Sequence, residues 1–92
     1  MYTVYILHFD RPILNRARHY VGYTERELAV RLAEHQTGKG SRLVKYLVEH
    51  GGSFKVAHFE VFEDRVSARN RELELKAERN LKSHCMYCTV IK

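Results

Sequence analysis

Five side chains spread along the chain, Tyr5, Tyr20, Arg31, His35 and Glu72, have the chemistry a phosphate ester calls for. Arg31 and His35 are four apart, and residues four apart on a helix share a face, so a guanidinium and an imidazole would project together. The fixed fork of a guanidinium matches two phosphate oxygens and stabilises charge that builds on a phosphoryl group. Tyr5 and Tyr20 sit in aromatic, β-rich stretches, and a phenol beside cations can orient or deprotonate a water. Glu72 would supply the carboxylate oxygen that a hard divalent cation needs, with water and phosphate completing its shell. Lys39, Arg42 and Lys45 surround the Gly-Lys-Gly-Ser-Arg stretch, where amides and cations together can grip a backbone phosphate.

Each residue also has a plainer reading. Strand tyrosines usually pack with the hydroxyl at the rim. Arg31 can be a helix-edge cation paired with Glu27 or Glu34. His35 can be a cation favoured at a helix C-terminus, and Glu72, Glu74 and Glu78 can be ordinary partners of lysine and arginine along one helix. Cys85 and Cys88 form a single CxxC beside His84. A structural zinc needs four ligands and only half a set is adjacent, so packing thiols are the expectation. The six histidines are otherwise scattered.

The elements that must position these groups follow from pattern. Tyr2 to Phe9 alternates as a first strand, DRPILNR connects it, and Ala17 to Tyr23 returns as an antiparallel partner. Gly22 marks a turn from this strand toward a helix. Thr24 with Glu27 has capping-box spacing, which predicts a helix from Glu25 carrying Leu28, Ala29, Leu32 and Ala33 inward, with Arg31 and His35 bordering the core. Gly38 and Gly40 end it, and Ser41 caps a second helix to about Glu49. Phe54 to Phe62 alternates as a third strand. A long charged helix is expected from Val66 to about Ser83, with one apolar side of Val66, Leu73, Ala77 and Leu81 and another of Ala68 and Leu75. Glu72 falls between the two. The tail HCMYCTVIK would add an edge strand or fray.

The totals bound the possibilities. Ninety-two residues predict one domain, with a core over about 2–83 and a tail over 84–92, and leave no room for a second module. Sixteen Lys and Arg against eleven Asp and Glu give a net charge of +5, which favours a polyanionic partner. No apolar run approaches a membrane span, no basic leader precedes MYTVYILHFD, and two cysteines build no disulfide framework, so a cytoplasmic protein without membrane contact is expected.

Taken together, these positions resemble the GIY-YIG nuclease domain. Thr3-Val4-Tyr5 stands at the family's first motif, Tyr20-Val21-Gly22 at its second, Arg31 at its helix arginine and His35 at the histidine or tyrosine one turn later. HQTGKGSR, His35 to Arg42, is similar to the small stand-alone branch. Ala68, Glu72 and Lys76 match the pattern of the last helix and select Glu72 over Glu74. The first motif departs in beginning with Thr3 where the family has glycine, and the asparagine that several members carry after the glutamate has no clear counterpart, Asn80 coming early for it.

The resemblance implies an α+β fold, a three-stranded antiparallel sheet flanked by helices in the order β-β-α-α-β-α. It also implies a DNA endonuclease using one divalent ion, Mg²⁺ or Mn²⁺. Tyr5 would activate or position water with Tyr20 nearby, Arg31 would stabilise the scissile phosphate, His35 would assist proton transfer or hold the phosphate, and Glu72 would bind the metal. A nucleic-acid-binding module that has lost efficient cleavage, or a nuclease subunit whose protein partner supplies specificity, are the alternatives.

Overall fold

Alternation of β-branched and aromatic residues builds the centre of the molecule, seen in a computed structural model that describes residues 1–14, 16–78 and 81–89. Strand β1 (Tyr2–Ile13) is followed by β2 (Ala17–Thr24), α1 (Leu28–Gln36), α2 (Arg42–Glu49), β3 (Phe54–Phe62) and α3 (Arg65–Ala77). A 3₁₀ turn (Leu81–His84) and a short helix α4 (Met86–Thr89) complete the described chain. The sheet has the order β2-β1-β3 with both pairings antiparallel, as the resemblance implied.

β1 is the middle strand, and its period of two sends alternate residues into two cores. Val4 and Ile6 pack with Val21, Ala57, Ala68, Leu75 and Cys85 beneath α3 and the C-terminal turn. Tyr5, Leu7, Phe9 and Ile13 pack with Val44 and Leu47 of α2. Every residue from Val4 to Leu7 is fully buried. At about 1.5–3 kcal/mol for each large apolar side chain removed from water, this strand dominates the apolar stabilisation.

Several local expectations give way to competing chemistry. β1 runs on through Pro12, because its pairing with β3 ends at Phe9 and a proline beyond that point forfeits no ladder bond. An irregularity between His8 and Ile13 absorbs the extension, and Leu14 and Arg16 turn the chain at positive φ. The Thr24–Glu27 capping box does not form. Thr24 Oγ1 accepts from the Arg26 amide at 3.0 Å, closing a turn of its own, and α1 begins only at Leu28.

α3 starts one residue early because Asp64 caps it, accepting from the Ser67 amide at 2.8 Å. It presents Ala68, Glu72 and Leu75 inward, while Val66 and Leu73 of the rival stripe are exposed. The helix also stops at Ala77, where Glu78 turns extended, rather than near Ser83. The tail neither frays nor joins the sheet over its described part. It folds back and places Cys85 in the core. Asn80 lies outside the described residues.

Two glycines close the C-terminal ends of α1 and α2. Gly38 at φ 80° follows α1, with the Lys39 amide on Glu34 O at 2.9 Å and the Gly38 amide on His35 O at 3.1 Å. Gly51 at φ 79° repeats the arrangement after α2, with the Gly52 amide on Leu47 O at 2.8 Å. Both are Schellman closures, which satisfy the orphan carbonyls of a helix end through a left-handed residue. A Cβ on Gly51 would meet nothing within 4 Å, so its substitution isolates the backbone cost. Gly51→Ala is expected to lower stability by about 1 kcal/mol, read as a shift in the urea midpoint at unchanged slope. Gly51→Asn should cost less.

Candidate active site

Register places Tyr5 opposite Gly22 on the edge strand β2. The glycine lies within the strand rather than at a turn, and its role is space: a Cβ there would run into Cζ and Oη of the Tyr5 ring. The phenol therefore lies across Gly22 toward the sheet edge, and its Oη is 2.8 Å from His35 Nε2. Tyr20 stands beside both, its ring centroid 6.3 Å from that of Tyr5 and 5.5 Å from that of His35.

His35 does not border the core; it is completely buried, and it is the one buried residue of α1. Edge-on contacts with Tyr5, Tyr20 and Phe54 hold its ring. Gly40 makes the fit possible, since a Cβ at that position would strike the imidazole at Nδ1. The glycine-rich connection thus seats the histidine as well as carrying cations.

Arg31, one turn earlier, is partly exposed and donates from Nη1 to Glu34 at 3.0 Å, as the plainer reading allowed. That bond does not use up the side chain, because the guanidinium also holds down the pKa of the Tyr5 phenol. Among the described residues, the two buried side-chain nitrogens without a hydrogen-bond partner are Arg31 Nε and His35 Nδ1. Both atoms belong to α1, and a buried polar atom left unpaired costs free energy.

Glu72 projects from α3, which covers the Val4–Ile6 core, and its charge is the smallest of the influences acting on the Tyr5 phenol. Its side chain is 8% exposed, with Oε2 3.0 Å from Lys76 Nζ and Oε1 3.5 Å from Arg69 Nε. The carboxylate is close enough to Tyr5 to help raise the phenol's pKa. Lys39, Arg42 and Lys45 lie exposed on the α1–α2 connection and the first turn of α2, and no described carboxylate pairs with them.

The electrostatics are those of an enclosed acid–base pair. Burial is the main cause that pushes the Tyr5 phenol up to about 12; Tyr20 and Glu72 add to it and Arg31 opposes it. Burial, with the Arg31 charge, pulls His35 down to about 4. Both groups are neutral near pH 7, one holding a proton and the other able to receive one. The sequence marked Gly22 as a turn and Gly40 as a helix end; that each makes room for a ring, Tyr5 and His35, appears only once the fold brings them together.

A family model described as the GIY-YIG catalytic domain matches residues 1–84. No curated protein and no solved structure matches the chain.

The depressed pKa of His35 has a definite linkage. Its folded value lies below the unfolded 6.5, so the unfolded chain binds the extra proton first as pH falls. The stability this histidine contributes is complete above about 6.5 and declines progressively down to about 4. Imidazole NMR titration should give a His35 midpoint near 4, and a midpoint near 6.5 would contradict the buried geometry.

Proposed function

Because the chain belongs to the GIY-YIG nuclease family, we propose that it is a metal-dependent DNA endonuclease hydrolysing a phosphodiester at the site around Tyr5. The single observation that carries the reading is the buried Tyr5–His35 hydrogen bond, with Arg31 and Glu72 both acting on the same phenol. A phenol, an imidazole, a guanidinium and a carboxylate drawn from β1, α1 and α3 form a constellation suited to phosphoryl transfer.

In this reading water attacks phosphorus as the bond to the leaving oxygen breaks. A protonated phenol can take the water's proton only by passing on its own, and His35 Nε2 is placed to receive it when the imidazole carries its proton on Nδ1. Because His35 Nε2 already bonds the Tyr5 hydroxyl, the reading assigns it proton transfer through Tyr5 over direct contact with phosphate. Arg31 stabilises the negative charge that develops on the phosphoryl oxygens, and its bond to Glu34 limits the orientations it samples. Tyr20 packs against both partners and keeps the relay aligned.

The donor set suits a hard cation, since the Glu72 carboxylate and the Tyr5 and Tyr20 phenols are oxygen ligands. Glu72 would hold one Mg²⁺ or Mn²⁺, which supplies Lewis-acid stabilisation of the leaving oxygen. Lys39, Arg42 and Lys45 would follow the DNA backbone outside the cleavage point. The cytoplasm is the proposed setting, and a protein partner could add substrate specificity. The ion pairs of Glu72 with Lys76 and Arg69 favour a second reading, a DNA-binding module in which these cations retain the carboxylate.

Incubation with branched, nicked and linear DNA plus Mg²⁺ or Mn²⁺ separates the two. Cleavage is expected, with Arg31→Ala, Glu72→Gln and Tyr5→Phe each lowering its rate by roughly 100-fold or more while circular dichroism stays unchanged. Salt-dependent DNA binding without product under either metal would select the binding module.

A further inference from the structure

On the face of the sheet opposite Tyr5, four soft or borderline ligands from distant parts of the chain converge. His8 of β1 and His19 of β2 are direct cross-strand partners, so their side chains project on one face. Cys85 and Cys88 lie on the C-terminal turn packed against that face, with the Cys88 amide bonded to Cys85 O at 3.1 Å. Both cysteines are thiols, and one ligand atom from each of the four residues falls within 4.8 Å of every other.

We propose that His8, His19, Cys85 and Cys88 form a structural zinc site. Zn–N bonds of ~2.0–2.1 Å and Zn–S bonds of ~2.3 Å at tetrahedral angles require ligand atoms ~3.3–3.8 Å apart. His8 Nδ1 and His19 Nε2 are 3.4 Å apart. Cys85 Sγ is 3.4 Å from His8 Nδ1, and Cys88 Sγ is 3.7 Å from His8 Nδ1 and 3.5 Å from His19 Nε2. Four of the six edges of the polyhedron thus already have the length that the metal imposes. Thiolate and imidazole select zinc over the hard ions suited to Glu72, and four protein ligands leave no open position for catalysis.

Cys85 does pack in the core, as expected of a packing thiol, and the zinc reading adds a ligand role to that packing. The missing half of the ligand set is supplied by a histidine pair near the other end of the chain, whereas the adjacent His84 bonds to Glu78 at 2.6 Å. Each half is organised locally, one by strand register and one by a tight turn, so binding fixes the C-terminal turn onto the β1–β2 hairpin.

The test uses the full chain purified under reducing conditions. One zinc per chain should survive gel filtration, and Co²⁺ in its place should give the intense visible bands of a tetrahedral ion with thiolate charge transfer. Cys88→Ser and His19→Gln are each expected to weaken zinc by ~100-fold or more, since even outer-shell changes cost 10–100-fold. Glu72→Gln should leave the cobalt spectrum untouched, which separates this site from the nuclease one. Zinc added to the metal-free wild-type chain should raise its melting temperature and slow alkylation of Cys88, a readout independent of any variant's folding. A chain that takes up no zinc, a cobalt spectrum abolished by Glu72→Gln, or a Cys85–Cys88 disulfide under those conditions would overturn the proposal.

Discussion

The hydrogen bond between Tyr5 and His35 joins the middle strand to the end of α1, and the candidate site is arranged around it. It forms inside the protein, where the low dielectric strengthens a satisfied polar pair and makes an unsatisfied one costly. Its geometry depends on two positions without side chains. Gly22 leaves the phenol room to cross the edge strand, and Gly40 lets the connection close over the imidazole. The left-handed Gly38 ends the helix one turn past His35 and sends the chain back over it. Backbone chemistry at three glycines therefore sets the position of one proton.

Charge in the site is arranged around this neutral pair. Arg31 leans on Glu34, and Glu72 on Lys76 and Arg69, so each is partly compensated before any ligand arrives. Such pairing limits the cost of holding ions in a half-buried setting. The guanidinium keeps donors that can face an anionic oxygen, and the carboxylate keeps the charge to face a cation. The net charge of +5 then acts at longer range and favours a polyanionic partner, with Lys39, Arg42 and Lys45 exposed.

What could be read from the sequence was chiefly what is decided locally. β3 was bounded by alternation, and α2 by its serine cap and the glycines after it. Both came out at the expected residues because neighbours along the chain settle them. Where two local solutions competed, tertiary context chose. Thr24 spent its oxygen on a turn instead of a helix cap, and α3 buried Ala68 and Leu75 because that stripe, not Val66 and Leu73, meets the sheet. The five candidate residues were found by motif order, yet the burial of His35 was missed because it depends on a glycine five residues away. The histidine and cysteine cluster was missed more completely, since its halves are separated by most of the chain and only sheet register brings the histidines together.

β1 threads both centres. Its odd positions carry Tyr5 to one face, and its even positions carry His8 to the other. In a strand of period two, slipping by one residue exchanges the faces completely. A misaligned hairpin would therefore lose the phenol and the imidazole ligand in the same event, and no intermediate alignment could retain either. An ion bound at the proposed zinc site on one side of the sheet would thus act as a proofreader for the other, favouring chains whose strands are already in step.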